Sequence, residues 1–256
     1  MTSDAPWVDP SDLSGLVAIV TGASSGLGHR FTRVLAHRGA TVLAAARRLD
    51  RLEDLAAGND RVVPVRCDIT VDEDRDALFA RAADLGGVDV LVNNAGWAEA
   101  LPAAEHPLES FRKTLEVDLT ALFALSVAAA DQMRSGGAGS IVNIASVLGL
   151  VGSAPVTQSA YGAAKGGVVT LTRHLACEWA RDGIRVNAIA PGWFPSELTE
   201  QMLADDGAKT WIRRNTPVGR PGRPEELDGA LLLLAGPAST YITGQVIAVD
   251  GGWTAR

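Results

Sequence analysis

Residues 16–28 read Leu16-Val-Ala-Ile-Val-Thr-Gly-Ala-Ser-Ser-Gly-Leu-Gly28, a short apolar run followed by a glycine-rich loop. The apolar run predicts a buried strand, and the residues after the loop predict a helix. Glycine at 22, 26 and 28 permits a tight turn and lets a pyrophosphate approach the N-terminus of that helix. The spacing Gly-x3-Gly-x-Gly differs from the general dinucleotide fingerprint, Gly-x-Gly-x2-Gly. We interpret the loop as a phosphate cradle; an ordinary strand–helix turn is the alternative.

Strand-like and helix-like segments alternate along the rest of the chain. The strand-like segments are continuous apolar runs, which indicates strands buried on both faces of a parallel sheet. Alternation of this kind predicts an α/β fold, a doubly wound parallel sheet with helices on both faces. No repeat or linker divides the chain, so we expect one domain over 1–256, with a surface arm at 1–14 and a substrate-lid insertion at 191–216. The predicted strands are 16–20, 41–46, 62–65, 88–92, 140–145, 184–189 and 245–249, and the predicted helices are 26–38, one from 50, 72–85, 108–133, 159–181 and 224–234.

Composition narrows the class of protein. The chain has 256 residues, 47% of them hydrophobic, and a net charge of −7, so a nucleic-acid partner is not expected. The N-terminus lacks the basic and apolar regions of a signal peptide, and no apolar run reaches the ~20 residues of a membrane span. Cys67 and Cys177 show no CxxC spacing, so we expect no metal site and no disulfide. The expected location is the cytoplasm, with no membrane partner.

The second predicted strand ends in Arg47 and Arg48. A carboxylate at this position would bind the ribose hydroxyls of NAD. Two guanidiniums are instead suited to bidentate contact with a 2′-phosphate. The pair therefore favours NADP(H), with NAD(H) possible; the alternative is that both arginines belong to a solvated helix start.

Tyr161 and Lys165 lie four residues apart in a predicted helix, and therefore on one face of it. Free tyrosine has a pKa of about 10, and a neighbouring ammonium favours the phenolate. Such a pair can exchange a proton with a carbonyl or alcohol oxygen. Without other motifs, a tyrosine packed against a lysine would be the simpler interpretation.

The ordered set of motifs resembles the short-chain dehydrogenases/reductases over nearly the whole chain, from about residue 13 to 253. It is similar to the group that contains 3-oxoacyl-carrier-protein reductases and gluconate 5-dehydrogenase-like enzymes. The resemblance implies an oxidoreductase that interconverts a ketone and a secondary alcohol, and a homotetramer formed through helices such as 108–133 and 159–181. The motifs are residues 21–28, Asn93-Asn-Ala-Gly96, Ser146, Tyr161-x3-Lys165 and Pro191-Gly192.

The resemblance also implies residue roles. Ser146 would bind the substrate oxygen, Tyr161 would act as the acid/base, and Lys165 would hold the nicotinamide ribose. Asp68 and Ile69 would contact the adenine. The remaining cofactor-binding residues would be Gly22, Ser24, Ser25, Gly26, Leu27, Gly28, Arg47, Arg48, Asn94, Ala95, Gly96, Pro191, Gly192, Phe194 and Ser196.

The chain departs from the family pattern at two places. Asp118 stands where the family has asparagine, and an ionised aspartate accepts hydrogen bonds but donates none. It either takes part in a proton relay or only sets the helix geometry. Ser146 precedes Tyr161 by fifteen residues, where thirteen is common, which leaves Ser153 and Ser159 as rival hydroxyls. We prefer Ser146 because it directly follows a predicted strand, at the end where ligands bind.

Three segments, 97–102, 148–158 and 193–212, are expected to line the substrate pocket. They are apolar and carry three of the six tryptophans, which suits a hydrophobic or cyclic carbonyl compound. The alternatives are a 3-oxoacyl thioester, a sugar acid, or a lid or interface role for these residues. The alternative classes of protein are an enoyl reductase, a catalytically weak dinucleotide sensor and a structural oligomer. Enoyl reductases of the same superfamily are similar to one another in a Tyr-x6-Lys pattern, which this chain lacks. The predicted substrate contacts are Trp97, Leu148, Val156 and Trp193.

Overall fold

Seven parallel strands form one sheet within the residues that the computed structural model describes, 9–153 and 157–255. The strand order is β3-β2-β1-β4-β5-β6-β7. The chain therefore places β2 and β3 on one side of β1, and then crosses over to place β4 to β7 on the other side. This confirms the predicted α/β doubly wound parallel sheet. The strands are β1 (Val17–Thr21), β2 (Thr41–Ala46), β3 (Val62–Arg66), β4 (Val90–Asn93), β5 (Gly139–Ile144), β6 (Ile184–Pro191) and β7 (Val246–Val249).

Helices cover both faces of this sheet, so central strands such as β1 and β4 are buried throughout. On one face, Phe31 and Leu35 pack with Leu231 against alternate strand residues such as Val20. On the other face, Leu125 packs with strand residues of opposite parity. The helices are α1 (Gly26–His37), α2 (Leu49–Ala56), α3 (Asp72–Ala83), α4 (Leu108–Leu115), α5 (Ala121–Gly136), α6 (Ser159–Trp179), α7 (Glu200–Ala204), α8 (Asp206–Asn215) and α9 (Asp228–Ala235).

The helix predicted over 108–133 is interrupted. A wider turn of π-helix, Glu116–Thr120, separates α4 from α5. Asp118 lies in this turn and is completely buried. Such turns often occur at functional sites because they redirect one side chain while the helix continues.

The insertion (residues 191–216) contains two short helices, α7 and α8. The Asp205 carboxylate caps α8 by accepting a hydrogen bond from the Ala208 amide at 2.6 Å. In the predicted arm, residues 1–8 lie outside the described part of the chain, and the Leu13 side chain is buried. None of the helices in the described ranges combines the length and the apolar character that crossing a bilayer requires.

Candidate active site

The turn between β1 and α1 is tightly packed at two glycines. Gly22 has φ +67°, and a Cβ there would lie 2.9 Å from the Cα of Ala95. A Cβ on Gly28 would lie 2.4 Å from the Gly22 carbonyl oxygen. Asn94 fixes the neighbouring strand end by donating a hydrogen bond to the Thr21 carbonyl at 2.8 Å. A side chain at Gly22 or Gly28 would therefore push the turn away from β4.

The N-terminus of α1 is suited to an anion. Ser25 precedes the helix without a side-chain capping bond, and the first turn carries no acidic residue. Arg48 lies beside this helix end, and its Nη2 donates to the hydroxyls of Ser24 at 3.1 Å and Ser25 at 3.0 Å. Amide dipoles, hydroxyls and a guanidinium thus converge where a phosphate would be stabilised.

A cleft of about 690 Å³ runs along the carboxyl ends of the strands. It joins the glycine turn to the tyrosine–lysine pair. The structure therefore brings together at one surface most of the residues that the sequence selected. The predicted residues that line the cleft are Gly22, Ser24, Ser25, Gly26, Leu27, Arg47, Arg48, Asp68, Ile69, Asn94, Ala95, Gly96, Trp97, Ser146, Tyr161, Lys165, Pro191, Gly192, Phe194 and Ser196.

Lys165 is held at the base of the cleft by two oxygens. Its Nζ donates to the Ile144 carbonyl at 3.0 Å and lies 3.1 Å from Oδ1 of Asp118. The same Nζ is 5.4 Å from the centre of the Tyr161 ring. Lys165 is 3% exposed and Asp118 is 0% exposed, so this is a buried ion pair directly below the phenol. The ammonium is fixed in place because both acceptors belong to rigid elements.

The backbone of residues 96–97 is fitted around Asp118. The Trp97 amide donates to Oδ2 of Asp118 at 3.2 Å. A Cβ on Gly96 would lie 2.6 Å from Oδ1 of Asp118. Glycine at this position therefore lets the carboxylate reach Lys165.

The three groups influence each other's ionisation. Burial raises the pKa of Tyr161, the Lys165 ammonium acts to lower it, and Asp118 raises it further. Burial alone would lower the pKa of Lys165, but attraction to Asp118 and Tyr161 outweighs burial and raises it. Burial also raises the pKa of Asp118 against the opposing effect of Lys165. The Lys165 ammonium thus acts to lower the pKa of Tyr161, as expected. Burial and Asp118 outweigh this effect and keep the pKa of the phenol above its ordinary value.

Ser146 lies just beyond β5, with Ala145 between the last strand residue and the serine, because the strand ends one residue earlier than predicted. Its Oγ accepts a hydrogen bond from the Leu148 amide at 3.2 Å, which turns the chain out of the sheet. The Ser146 hydroxyl acts to lower the pKa of the Tyr161 phenol, which burial raises. Both side chains line the cleft.

Some predicted contacts lie elsewhere. Gly28 packs against the Gly22 carbonyl within the glycine turn and does not line the cleft. Val156 lies outside the described residues. Trp193 is buried in an aromatic cluster with Trp211 and Trp253, at ring-centre distances of 5.8 and 5.4 Å. Leu148 packs against the same cluster. These side chains therefore support the insertion instead of lining the cleft.

Several cleft-lining residues were missed by sequence reasoning, and three of them have polar side chains that make contacts of interest: Lys113, Glu197 and Thr199. The Lys113 ammonium lies 4.2 Å from the centre of a Trp97 ring. Glu197 forms ion pairs with Arg48 and Arg51. The Thr199 hydroxyl donates to the Phe194 carbonyl at 2.6 Å and shapes the start of the insertion. No local sequence signal indicates these contacts, because their partners are distant in the chain or lie within an irregular loop.

Comparison with known proteins agrees with the fold. A family model described as Enoyl-(Acyl carrier protein) reductase matches residues 22–254. The cis-4-hydroxycyclohexanecarboxylate dehydrogenase of Sinomonas cyclohexanicum is 43% identical over 244 residues, which cover 93% of this chain and 96% of that protein. Gluconate 5-dehydrogenase of Gluconobacter oxydans (strain 621H) is 38% identical over 255 residues, covering 96% and 97%.

A solved structure of a gluconate 5-dehydrogenase from Burkholderia cenocepacia J2315, in complex with NADP and tartrate, superimposes with a TM-score of 0.91 at 32% identity. The match covers 97% of this chain and 98% of that one. Fold and cleft together define a dinucleotide-binding oxidoreductase. The chain belongs to the short-chain dehydrogenase/reductase family, which confirms the resemblance drawn from its motifs.

Proposed function

We propose that the protein interconverts a ketone and a secondary alcohol by hydride transfer with NADP(H), with Tyr161 as the acid/base. One observation carries this proposal. The Tyr161, Lys165 and Ser146 side chains line the same cleft as the glycine turn and the Arg47–Arg48 pair. A bound nicotinamide would supply the hydride chemistry.

The side chains at the base of the cleft have distinct tasks in this proposal. Ser146 orients the substrate oxygen, and the Tyr161 phenol donates a proton to a carbonyl oxygen or removes one from an alcohol. Lys165 favours the phenolate and holds the nicotinamide ribose. Asp118 keeps the ammonium charged and in place. The other cofactor contacts follow the cleft: the glycine turn for the pyrophosphate, Asp68, Ile69 and residues 94–96 for the adenosine, and residues 191–196 for the nicotinamide side.

The preference for NADP(H) rests on the end of β2. Arg47 and Arg48 line the cleft there, and Arg48 contacts the serines of the glycine turn. A guanidinium attracts a 2′-phosphate more strongly than a neutral ribose hydroxyl. We expect kcat/KM for NADPH to exceed that for NADH by at least about ten-fold, since a charge-assisted hydrogen bond is worth about 1.5–3 kcal/mol. Equal values would contradict the preference.

The substrate class is proposed from the cleft near Trp97, where the walls include Ala98 and Val117. These apolar surfaces suit a hydrophobic or cyclic carbonyl compound. The relative from Sinomonas cyclohexanicum, named for a hydroxylated cyclohexane ring, supports this class. A second candidate is a sugar acid, because the Lys113 ammonium lies at the same wall and would attract a carboxylate.

Substitution of Tyr161 by Phe tests the reaction class. Removing only the hydroxyl should reduce turnover by about a thousand-fold, because proton transfer loses its donor, while cofactor binding remains. Turnover close to wild type would contradict the proposed role. A dinucleotide sensor without catalysis would show no turnover in the wild type or in Tyr161→Phe. The Tyr-x3-Lys spacing favours carbonyl reduction over the C=C reduction of an enoyl reductase.

A screen of substrates separates the two candidate classes. Absorbance at 340 nm would follow NADPH consumption with cyclic ketones, cyclic keto acids, 3-oxoacyl thioesters and sugar keto acids. We expect the cyclic compounds to give the highest kcat/KM. Turnover of sugar acids alone would replace the first candidate with the second.

We also propose a homotetramer. Leu108 and Phe123, on α4 and α5, are 60% and 46% exposed, which supports an apolar contact at the helices that the family resemblance selects. Light scattering at micromolar protein concentration should give four times the mass of the chain. A monomer would contradict this proposal.

A further inference from the structure

The Glu197 carboxylate lies across the mouth of the cleft and binds side chains of the opposite wall. Its Oε1 accepts hydrogen bonds from Nη1 of Arg48 at 3.0 Å and from Nη1 of Arg51 at 2.5 Å. Its Oε2 accepts from Nη2 of Arg48 at 2.8 Å and from the Ser25 hydroxyl at 2.9 Å. The contact with Arg48 is therefore bidentate, and the insertion is tied to the glycine turn through one side chain.

These donors are the ones that a phosphate group would use. Carboxylate and phosphate both suit the planar fork of a guanidinium, and both accept hydrogen bonds from hydroxyls. Arg48 also touches Ser24, at the turn that precedes α1. Glu197 thus occupies the guanidinium that the proposed function assigns to the 2′-phosphate of NADP(H).

We infer that Glu197 is a specificity-determining residue whose carboxylate competes with the 2′-phosphate of the cofactor for Arg48 and Arg51. This inference rests on the proposed position of the adenosine ribose beside Arg48. The 2′-phosphate must displace the carboxylate, whereas the neutral hydroxyl of NAD has no need to. Glu197 therefore reduces the advantage that the arginines give to NADP.

The Glu197 carboxylate can be displaced from the arginines because all three side chains are partly exposed. Glu197, Arg48 and Arg51 are 49%, 40% and 46% exposed. Ion pairs at such positions contribute little to stability because water and salt screen them. Arg48, Arg51 and Ser25 hold the pKa of Glu197 at about 2, so the competing carboxylate is charged at every working pH. A phosphate, with more charge and more acceptor oxygens, can replace it.

The segment of the insertion that carries Glu197 is held by contacts of its own. Ser196 packs on the glycine turn, since a Cβ on Gly26 would lie 3.3 Å from the Ser196 Cβ. Thr199, two residues after Glu197, bonds the backbone that precedes Glu197, accepting from the Ser196 amide at 3.0 Å and donating to the Phe194 carbonyl. These contacts do not involve the Glu197 carboxylate, so the loop keeps its position on the glycine turn when the side chain is displaced.

Calorimetric titration with nucleotide fragments tests the inference without any catalytic step. The probes are adenosine 2′,5′-bisphosphate and AMP, titrated into the wild type, Glu197→Gln and Glu200→Gln. Glu200 is the matched control, because it lies in the same insertion, lines the same cleft and carries the same charge. Glu197→Gln should tighten the bisphosphate by about five-fold relative to AMP, as expected for loss of one exposed ion-pair competitor. Glu200→Gln should leave this ratio as in the wild type.

Two outcomes would overturn the inference: an equal change of the ratio in both variants, or weaker binding of the bisphosphate by Glu197→Gln. The gain should also disappear when Arg48→Gln is added to Glu197→Gln, and its persistence would contradict the role of Arg48. Failure of the NADP proposal is recognised separately. It would appear as equal binding of the two probes by the wild type, while the comparison of Glu197→Gln with Glu200→Gln would still decide the role of Glu197.

Discussion

Asp118 is the residue at which this chain departs most from the family pattern. Its carboxylate pairs with Lys165 at 3.1 Å and accepts the Trp97 amide, and it is fully buried. A buried charge of this kind is tolerated only when paired and hydrogen-bonded. The direct ion pair supports a charged role for Asp118 in fixing Lys165, beyond setting the geometry of the helix.

Substitution of Asp118 by Asn should move the pH dependence of alcohol oxidation. The carboxylate raises the pKa of Tyr161, so its removal lowers that pKa. Oxidation needs the phenolate and is gained as pH rises through this pKa, so the rising limb of kcat should shift to lower pH. The measurement is kcat against pH for both proteins. An unchanged profile would exclude an essential charged role.

Among the elements, a buried polar chain connects β4, β5 and α6. Asn93 Nδ2 donates to Oδ1 of Asn143 at 3.0 Å, and Asn143 Nδ2 donates to the Thr172 hydroxyl at 3.0 Å. Asn93 Nδ2 also reaches the Ser126 hydroxyl at 3.0 Å. These bonds join the strands that carry Asn94 and Ser146 to the helix that carries Tyr161, and so fix their relative positions.

Substitution of Asn143 by Ala should lower the free energy of unfolding by about 2 kcal/mol, because buried partners lose their hydrogen bonds. Urea unfolding at a fixed protein concentration would measure it. Ser126→Ala is the control, since Asn93 keeps its bond to Asn143, and it should cost less. An equal loss in the two variants would show that the chain of bonds is not the source of the stability.

The elements also show what the sequence could and could not predict. Strands such as β1 and β2 were predicted to within a residue or two, because burial on both faces produces continuous apolar runs. The π-helical turn at Glu116–Thr120 was not predicted, since the apolar pattern continues through it. Motifs located the cleft, but Trp193 and Glu197 depend on contacts between distant segments. Composition cannot distinguish a tryptophan that supports the insertion from one that touches a substrate.

At the scale of the whole molecule, stability should decline in acid. Arg220 holds the pKa of the Glu226 carboxyl at about 2. A lowered carboxyl pKa stabilises the folded state above the unfolded value near 4.5, and this contribution is lost as pH falls towards 2. The contribution of Asp118 to stability has the opposite pH dependence. Because burial raises its pKa in the folded state, this contribution increases as pH falls.

We therefore expect the melting temperature to fall as pH decreases from about 4.5 to 2. In Glu226→Gln the melting temperature should fall less steeply over this pH range, because the variant has no carboxylate to protonate at that position. Differential scanning calorimetry across this range would measure the effect. A decline as steep in Glu226→Gln as in the wild type would show that other carboxyl groups dominate.

The tryptophan cluster has a spectroscopic consequence. Trp193 and Trp211 belong to the insertion, Trp253 lies near the C-terminus, and the Trp211 and Trp253 rings are 5.0 Å apart. Indoles this close and mutually tilted couple their electronic transitions, so the near-ultraviolet circular dichroism of the protein contains a signal from the mutual orientation of these rings. A rearrangement of the insertion would change that signal, so a titration with nucleotide in unlabelled protein would report whether the insertion moves.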